Sequence, residues 1–368
     1  MVDDDKPTTE PALYSLLRSA AKLGASDLHI KADAPPHVRS HGDLSNLGTP
    51  PLSGAAIDKI VFEAISADQA DTFRRVGSLD FAVELAGSDR FRINLFRQRG
   101  RTSLACRRVT RNIPTFAQLH LPKIAEELSE LRQGLVLVTG ITGAGKSTTI
   151  AAMIEHINQT RPCHIVTIED PIEYLYEDKQ ALVNQREIGI DVADFAAALK
   201  YLMREDPDVV LIGEMRDTET FEAALHAAET GHLVFGTVHA ASTISTITRL
   251  LDLFPEGSRA LVRQSLVFNL RAVIAQKLLP SIAPGISRIP AVEVLIVNPA
   301  ARKMIADGRE ADLVEIIAAN PQAGMVDFNG SLERLVENEM ISLNEAMACS
   351  PNPNELRMRL KGIRRGGG

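Results

Sequence analysis

Tryptophan is absent from this chain, and aromatic residues of all kinds make up only 4% of it. Nucleic-acid bases stack on aromatic side chains, so the chain offers few surfaces for that contact. The net charge of −7 also has the wrong sign for a surface that must neutralise phosphate backbones. The scarcity of aromatic residues and the negative net charge argue against a nucleic-acid motor, which stays a remote alternative.

Cysteines and long apolar runs are also scarce. The three cysteines, Cys106, Cys163 and Cys349, are scattered, and none belongs to a Cys-x-x-Cys pair, so neither a disulfide framework nor a zinc site is expected. No apolar run approaches the ~18 residues of a membrane-spanning helix. The acidic start, Met1–Lys6, has the wrong charge for a secretory signal. We therefore expect a cytoplasmic protein that does not insert into the membrane.

A glycine-rich stretch directly after an apolar run carries the strongest chemical signal. Residues 135–138 are typical of a buried parallel strand, and Gly140-x-x-x-x-Gly145-Lys146-Ser147 follows. This is the spacing of a P-loop, in which glycines let successive backbone N–H groups point at one phosphate chain. Lys146 is expected to reach the β- and γ-phosphates, and Ser147 to ligate Mg²⁺. The predicted nucleotide-binding residues here are Gly140, Thr142, Gly143, Ala144, Gly145, Lys146, Ser147 and Thr148.

The hydrophobic pattern changes once along the chain, which indicates two domains. Alternating apolar residues before residue 111 predict a β-hairpin, with a loop at 86–89, and a third strand at 101–109. From Leu135 onward, apolar runs alternate with helical stretches, one of them at 258–278, as in a parallel sheet covered on both faces. The sequence thus predicts a small α/β domain at 1–111, a linker at 112–118, an α/β P-loop domain with a parallel sheet at 119–348, and a flexible tail at 349–368.

Polar residues that can assist hydrolysis follow three of the predicted parallel strands. They are Glu169 and Asp170, then Glu214, then His239. Open α/β sheets bind ligands at the carboxyl ends of parallel strands, so these side chains are expected to face the phosphates. Glu214, in a Walker B-like element, is our candidate for activating the attacking water, and His239 for contacting the γ-phosphate. A carboxylate such as Glu169 is also common as a simple turn or cap residue, and that interpretation stays open.

One departure from the usual Walker B pattern affects the metal site. Gly213 occupies the position where an aspartate commonly ligates magnesium. We therefore expect Ser147 to hold Mg²⁺, with Glu214 or Glu169 contributing through water.

Several stretches of the sequence resemble those of a known family. They are Ala25–His29, Gly140–Thr149, Ile168–Glu173, Arg204–Asp217, Ala228–His239 and Gln276–Pro280. They resemble the bacterial type II/IV secretion ATPases and, more narrowly, the PilT branch, the retraction motors of type IV pili. The likeness runs from about residue 12 to about residue 347.

The resemblance implies a PAS-like N-terminal domain followed by a RecA-like ATPase domain, assembled as a ring-shaped homohexamer. Such a ring would use ATP and Mg²⁺ to disassemble pilin subunits at the inner face of the cytoplasmic membrane, together with the pilus platform protein. The resemblance assigns Glu169 and Asp170 to the family's Asp box, Glu214 to its Walker B glutamate, and His232 and His239 to its His box. From the strand pattern alone, His232 stands at the opposite end of its strand and is the weaker candidate.

The resemblance also gives the N-terminal sheet a role. Arginines of this domain approach the nucleotide phosphates in the family, and Arg92 and Arg107 match that pattern here. A guanidinium suits the task because it stays charged and donates several hydrogen bonds to phosphate oxygens. A solvated surface role stays open for both. Neighbouring arginines also compete for the assignment: Arg90, Arg97, Arg99 and Arg101.

Two further features bear on the branch of the family. The chain lacks a four-cysteine zinc insert, which fits the retraction motors better than the pilus-assembly and type II secretion motors. Retraction motors also carry the motif Ala-Ile-Arg-Asn-Leu-Ile-Arg-Glu, and the matching stretch at 300–307 keeps only Ala300, Arg302 and Ile305. Pilus retraction is the leading prediction, and assembly or type II secretion is the alternative.

Overall fold

The computed structural model describes residues 11–40, 43–85 and 89–362. They form two compact units, one up to Asn112 with Glu173–Leu175, the other from Ile113 to Ile172 and from Tyr176 onward. The acidic start of the chain, most of the loop predicted at 86–89 and residues 363–368 of the predicted tail lie outside the described residues. Within the described stretches, no helix is both long and apolar enough to cross a membrane.

The first unit is built on a six-stranded antiparallel sheet with the spatial order β3-β2-β1-β6-β5-β4. Its strands are β1 (Asp27–Lys31), β2 (His37–Ser40), β3 (Asp43–Asn46), β4 (Ser78–Glu84), β5 (Arg90–Gln98) and β6 (Arg101–Val109). Its helices are α1 (Ala12–Lys22), α2 (Gly54–Phe62) and α3 (Ala67–Val76). The hairpin β4–β5 and strand β6 match the predicted pattern, whereas β2 and β3 are too short to show one.

One face of this sheet carries the core of the unit. Phe91 and Ile93 of β5 are buried together with Leu17 of α1 and Ile57 of α2. Successive side chains of a strand alternate between faces, so Arg92 lies on the face opposite to this core.

The second unit is built on a seven-stranded sheet with the order β13-β12-β7-β11-β10-β8-β9, in which only the pair β12–β13 is antiparallel. Its strands are β7 (Gly134–Thr139), β8 (His164–Glu169), β9 (Leu182–Glu187), β10 (Val209–Ile212), β11 (Leu233–Val238), β12 (Leu270–Pro280) and β13 (Arg288–Ile296). Its helices are α4 (Lys123–Ser129), α5 (Lys146–Thr160), α6 (Phe195–Leu202), α7 (Thr218–Glu229), α8 (Thr243–Asp252), α9 (Glu256–Asn269), α10 (Pro299–Ala306), α11 (Leu313–Ala319), α12 (Phe328–Glu337), α13 (Leu343–Cys349) and α14 (Pro353–Leu360), with short 3-10 helices at Glu310–Asp312 and Pro321–Ala323.

Both faces of this largely parallel sheet are covered. Leu135 and Leu137 of β7 belong to one buried apolar cluster, and Val136 and Val138 belong to another. Because alternate residues of a strand point to opposite faces, the two clusters are the cores on the two sides of the sheet. The predicted fold class, an α/β protein with a P-loop domain on a parallel sheet after a smaller α/β domain, is confirmed.

The predicted helix at 258–278 is wrong in its second half. Helix α9 ends at Asn269, and Leu270 already has an extended backbone with φ −66° and ψ 123°. Residues 270–280 form β12, which lies between β7 and β13. Short apolar runs do not distinguish a buried strand from a buried helix, and here pairing with strands on both sides decides for the strand.

The predicted flexible tail is wrong for the part that the structure describes as α14. The side chain of Asn352 caps this helix, and Leu356 is fully buried. The guanidinium of Arg359 donates two hydrogen bonds to the carboxylate of Asp327, at 2.9 and 2.6 Å. The start signal, Asn352 followed by Pro353, is visible in the sequence, but the partners of Leu356 and Arg359 are distant along the chain.

Replacing Leu356 with alanine tests whether α14 is packed. We expect the free energy of unfolding, measured by urea denaturation, to fall by about 2–4 kcal/mol, because the variant loses buried contacts and leaves a cavity. Met358→Ala on the same helix, where the side chain is 42% exposed, is the control and should change it by less than about 0.5 kcal/mol. Equally small losses in both variants would mean that the segment is flexible after all.

Candidate active site

The P-loop connects β7 to α5 and bends at two glycines. Gly140 has a φ of +153° and Gly145 a φ of +87°, and an added Cβ would lie 2.5 and 2.7 Å, respectively, from atoms of a neighbouring strand. Lys146 is buried at the start of α5, and its Nζ donates hydrogen bonds to the carbonyl oxygens of Gly140 and Ile141 at 3.0 and 3.2 Å. The loop therefore wraps around an ammonium group at the N-terminus of a helix, which is the arrangement of an anion-binding site.

The other predicted P-loop residues lie around this ammonium. Thr142 and Gly143 form the exposed tip of the loop, Ala144 is buried beneath it, and Ser147 and Thr148 lie in the first turn of α5. The structure thus brings the eight predicted residues together, and their contact with nucleotide stays a prediction.

Glu169 ends strand β8, and Glu214 follows the neighbouring strand β10, both at the carboxyl edge of the sheet. Strands β8 and β10 run parallel and in register, so the residues at their carboxyl ends occupy the same edge. Glu169 is buried, and its Oε1 accepts hydrogen bonds from Thr167 at 2.7 Å and from Gln185 at 3.2 Å. Asp170, the next residue, is exposed.

Both oxygens of the Glu214 carboxylate have protein partners. Oε2 accepts a hydrogen bond from Arg216 at 2.5 Å, and Oε1 lies 3.1 Å from Nε2 of His239. Glu214 follows β10 and His239 follows β11, and these two strands are parallel neighbours. The structure thus brings together the predicted water-activating residue and the predicted γ-phosphate contact, and it adds Arg216, for which the sequence analysis predicts no role.

The surrounding charges set the protonation of this pair. Burial alone would raise the pKa of Glu214, but the hydrogen bond from Arg216 and nearby positive charges, Lys146 included, bring it below its ordinary value. Burial, together with the charge of Lys146, lowers the pKa of His239 despite the opposing effect of Glu214. Glu214 is therefore ionised at neutral pH.

The loop that carries His239 is anchored on both sides by residues that the sequence analysis misses. The hydroxyl of Thr139, at the end of β7, accepts the N–H of Ala240 at 3.0 Å. The buried carboxylate of Glu293 in β13 accepts the N–H and the hydroxyl of Thr243, both at 2.8 Å. Each is a polar residue in or at the end of an otherwise apolar strand, and this sequence signal does not indicate the partner.

His232 does not belong to this group. It precedes β11, whereas His239 follows it, and the strand of six residues between them is about 20 Å long. Nδ1 of His232 lies 2.9 Å from the carbonyl oxygen of Ala227, and the backbone oxygen of His232 accepts the N–H of Gly134. The predicted contact of His232 with nucleotide is therefore corrected, because the P-loop lies at the other end of these parallel strands.

Arg92 and Arg107 are direct cross-strand neighbours in the first unit. They lie opposite each other in the pair β5–β6. Nε of Arg107 donates to the Asp27 carboxylate at 2.9 Å, while 71% of the Arg107 side chain stays exposed. Burial alone would raise the pKa of Asp27, but hydrogen bonds from Arg107 and Ser26 bring it below its ordinary value, so Asp27 is ionised and orients the guanidinium. That either arginine reaches a phosphate stays a prediction.

The protein offers few ligands to a metal ion. No group of three or more His, Cys, Asp or Glu side chains suited to hold one occurs at residues 11–40, 43–85 or 89–362. A Cβ at Gly213 would lie 3.1 Å from the carbonyl oxygen of Ile168 and 3.2 Å from Cα of Glu169, so an aspartate there would be crowded. The candidate ligands are the hydroxyl of Ser147 and the carboxylates of Glu214 and Glu169. Such a set fits Mg²⁺, which usually takes most of its ligands from phosphates and water.

The chain matches the family model of type II/IV secretion system proteins over residues 2–345. It is 42% identical to the type IV pilus retraction ATPase PilT of Pseudomonas aeruginosa, over 91% of this chain and 96% of that protein. It is 38% identical to the twitching motility protein of Neisseria gonorrhoeae, over 94% of this chain and 92% of that protein. A crystal structure of the pilus retraction motor PilT with bound ADP matches with a TM-score of 0.87 at 44% identity. The match covers 95% of this chain and 99% of the chain in that structure.

These similarities extend over both units of the chain. The resemblance inferred from the P-loop and the strand-end residues is confirmed. The chain therefore belongs to the family of type II/IV secretion system proteins, as an ATPase related to PilT.

Proposed function

We propose that ATP hydrolysis by this chain powers the retraction of type IV pili, with the chain working as a homohexamer. The observation that carries the proposal is the arrangement around Glu214, a carboxylate that lies 3.1 Å from Nε2 of His239 at the same edge of the sheet as the P-loop. The similarity to PilT and to a twitching motility protein supports pilus retraction as the process that the hydrolysis powers.

The P-loop binds the phosphates of ATP through the N–H groups at the start of α5 and the ammonium of Lys146. The neutral carbonyl oxygens of Gly140 and Ile141 accept hydrogen bonds from that ammonium. A phosphate oxygen is a charged acceptor and replaces them favourably. Ser147 is placed to hold Mg²⁺, which neutralises charge on the phosphate oxygens when it is bound.

Glu214 orients the attacking water. Its low pKa makes it a weak base, so the carboxylate acts mainly by accepting a hydrogen bond from the water and fixing its direction. The hydrogen bond from Arg216, with His239 close by at 3.1 Å, holds the carboxylate in one orientation. Glu169 and Asp170 lie at the same edge and are the further carboxylates available to the water or the metal.

Arg92 and Arg107 would supply positive charge to the phosphates from the first unit. Loss of the γ-phosphate on hydrolysis would remove this contact, and the released contact would drive a movement of the chain. In a ring at the inner face of the cytoplasmic membrane, such movements would act on the pilus platform protein and release pilin subunits.

Pilus assembly or type II secretion is the second candidate, and one observation favours it. In the stretch at 300–307, which corresponds to the retraction motif, only Ala300, Arg302 and Ile305 match. Ile305 is fully buried in α10, so packing alone accounts for its presence. A nucleic-acid motor is a more remote candidate, which stimulation of the ATPase by DNA or RNA would support.

Lys146→Ala and Glu214→Gln should separate binding from hydrolysis. Lys146→Ala removes the buried ammonium and should weaken ATP binding about tenfold or more as well as stop turnover. Glu214→Gln should bind ATP like the wild type but lower kcat about 10²–10³-fold, because the amide no longer provides a charged acceptor for the water. Calorimetry measures binding, and phosphate release measures turnover. Glu219→Gln, at an exposed position of α7, is the control, and rapid turnover by Glu214→Gln would move the water-orienting role to Glu169.

Arg92→Ala and Arg107→Ala test the contribution of the first unit. Each should lower kcat about 10²-fold if a guanidinium stabilises the transition state, and Arg107→Lys should not restore it because an ammonium lacks the planar fork. The control is Arg74→Ala, which removes an exposed arginine that pairs with Asp71 on the same unit. Wild-type kcat in both arginine variants would mean that they are ordinary surface residues.

Deletion of the gene, complemented with wild type or Glu214→Gln, tests the work that the motor does. Cells without active protein should keep surface pili but lose twitching motility, and only the wild type should restore it. Loss of surface pili would assign the protein to the assembly branch. Unchanged pili with a defect in secretion would assign it to type II secretion.

A further inference from the structure

Gln276 is a buried polar residue in the largely apolar strand β12, with 4% of its surface exposed. Its Nε2 donates a hydrogen bond to the carbonyl oxygen of Ala144 in the P-loop at 2.7 Å. Its Oε1 accepts the hydroxyl of Thr149 in the first turn of α5 at 2.8 Å. One side chain thus contacts the P-loop and the helix that follows it at the same time.

Gln276 is also the residue against which two P-loop glycines lie. A Cβ at Gly140 would be 2.5 Å from its carbonyl oxygen, and a Cβ at Gly145 would be 2.7 Å from its Nε2. The positive φ angles at both positions already favour glycine, and the contact with Gln276 is a second, steric reason. The close approach of β12 therefore shapes the loop independently of any phosphate.

We infer that Gln276 is a positioning residue that orients the Ala144–Gly145 peptide for phosphate binding. In a trans peptide the carbonyl group and the following N–H point in opposite directions. Because Gln276 binds the carbonyl oxygen of Ala144, the N–H of Gly145 is turned away from β12, toward the side of the loop that a phosphate occupies. P-loop N–H groups bind phosphate only when they converge, so Gln276 prepares one of them before nucleotide arrives.

The carbonyl oxygen of Ala144 determines which way the amide of Gln276 faces, because a carbonyl can only accept and therefore meets Nε2. The hydroxyl of Thr149, which can donate or accept, then donates to Oε1. Thr149 is 1% exposed, so both partners of this hydrogen bond are buried. Loss of either side chain leaves a buried polar group without its partner, and water does not replace it at low cost.

The test uses the full-length protein and rests on the ATPase activity proposed above. Gln276→Leu, which keeps the side-chain volume, should raise the KM for ATP and the Kd for ADP about tenfold, the effect of about one hydrogen bond. It should change kcat less than about threefold, because the N–H of Gly145 binds the ground state and the transition state alike. Thr149→Val should have the same effect in weaker form, and the double variant should resemble Gln276→Leu because the two residues act as a unit.

Ser331→Ala is the matched control. The Oγ of Ser331 accepts the N–H of Val292, the residue that lies opposite Gln276 on β13. The variant therefore loses a buried hydrogen bond beside β12 without touching the P-loop. A purely structural defect reduces the number of active molecules, which lowers the apparent kcat and leaves KM unchanged, and this is the pattern expected for Ser331→Ala.

The outcomes separate the inference from the proposed function. If the wild type is active and the KM and Kd of Gln276→Leu lie within twofold of the wild-type values, the role of Gln276 is overturned. The ATPase assignment then stays intact. Absence of hydrolysis in the wild type would overturn the assignment instead. If Gln276→Leu does not fold, Gln276→Asn takes its place: its amide is one methylene too short to reach both partners, so an unchanged KM in that variant would also overturn the inference.

Discussion

The parallel register of β7, β8, β10 and β11 is the constraint on which the rest of the site depends. Strands that run parallel and in register end at one edge, so the loops that follow them meet there whatever their distance along the chain. Strands β7, β10 and β11 are buried along their whole length, which fixes where each loop begins. Lys146, Glu214 and His239 meet for this reason, although they come from three separate segments.

The features that could be predicted from the sequence are those that one continuous stretch of residues specifies by itself. The spacing from Gly140 to Ser147 specifies a P-loop, and an apolar run followed by a charged residue specifies a strand end, as at Glu214. The apolar pattern of residues 270–280 is compatible with a helix or a strand. Only the pairing of this segment with β7 and β13 on either side makes it a strand. The same limit explains why the sequence alone indicates no role for Gln276: its partners lie in the P-loop and in α5.

The sheet of the first unit shows how a charge pattern becomes interpretable only in three dimensions. Arg39, Asp27, Arg107 and Arg92 stand opposite one another on four neighbouring strands, β2, β1, β6 and β5. Like charges that face each other across strands are unfavourable, and the ionised Asp27 offsets the repulsion only in part. The sequence indicates the arginines but not the carboxylate between them.

The carboxylate of Glu214 can hold water without first giving up its protein contacts. A carboxylate has about four lone-pair positions on its two oxygens; Arg216 occupies one on Oε2, and His239 lies 3.1 Å from Oε1. The remaining positions can accept from a water molecule while the side chain stays fixed. Because the pKa of Glu214 lies below its ordinary value, no proton has to leave before that water binds. The arrangement therefore favours the ordering of water over the removal of its proton, which is the larger need in a phosphoryl transfer that proceeds through a loose transition state.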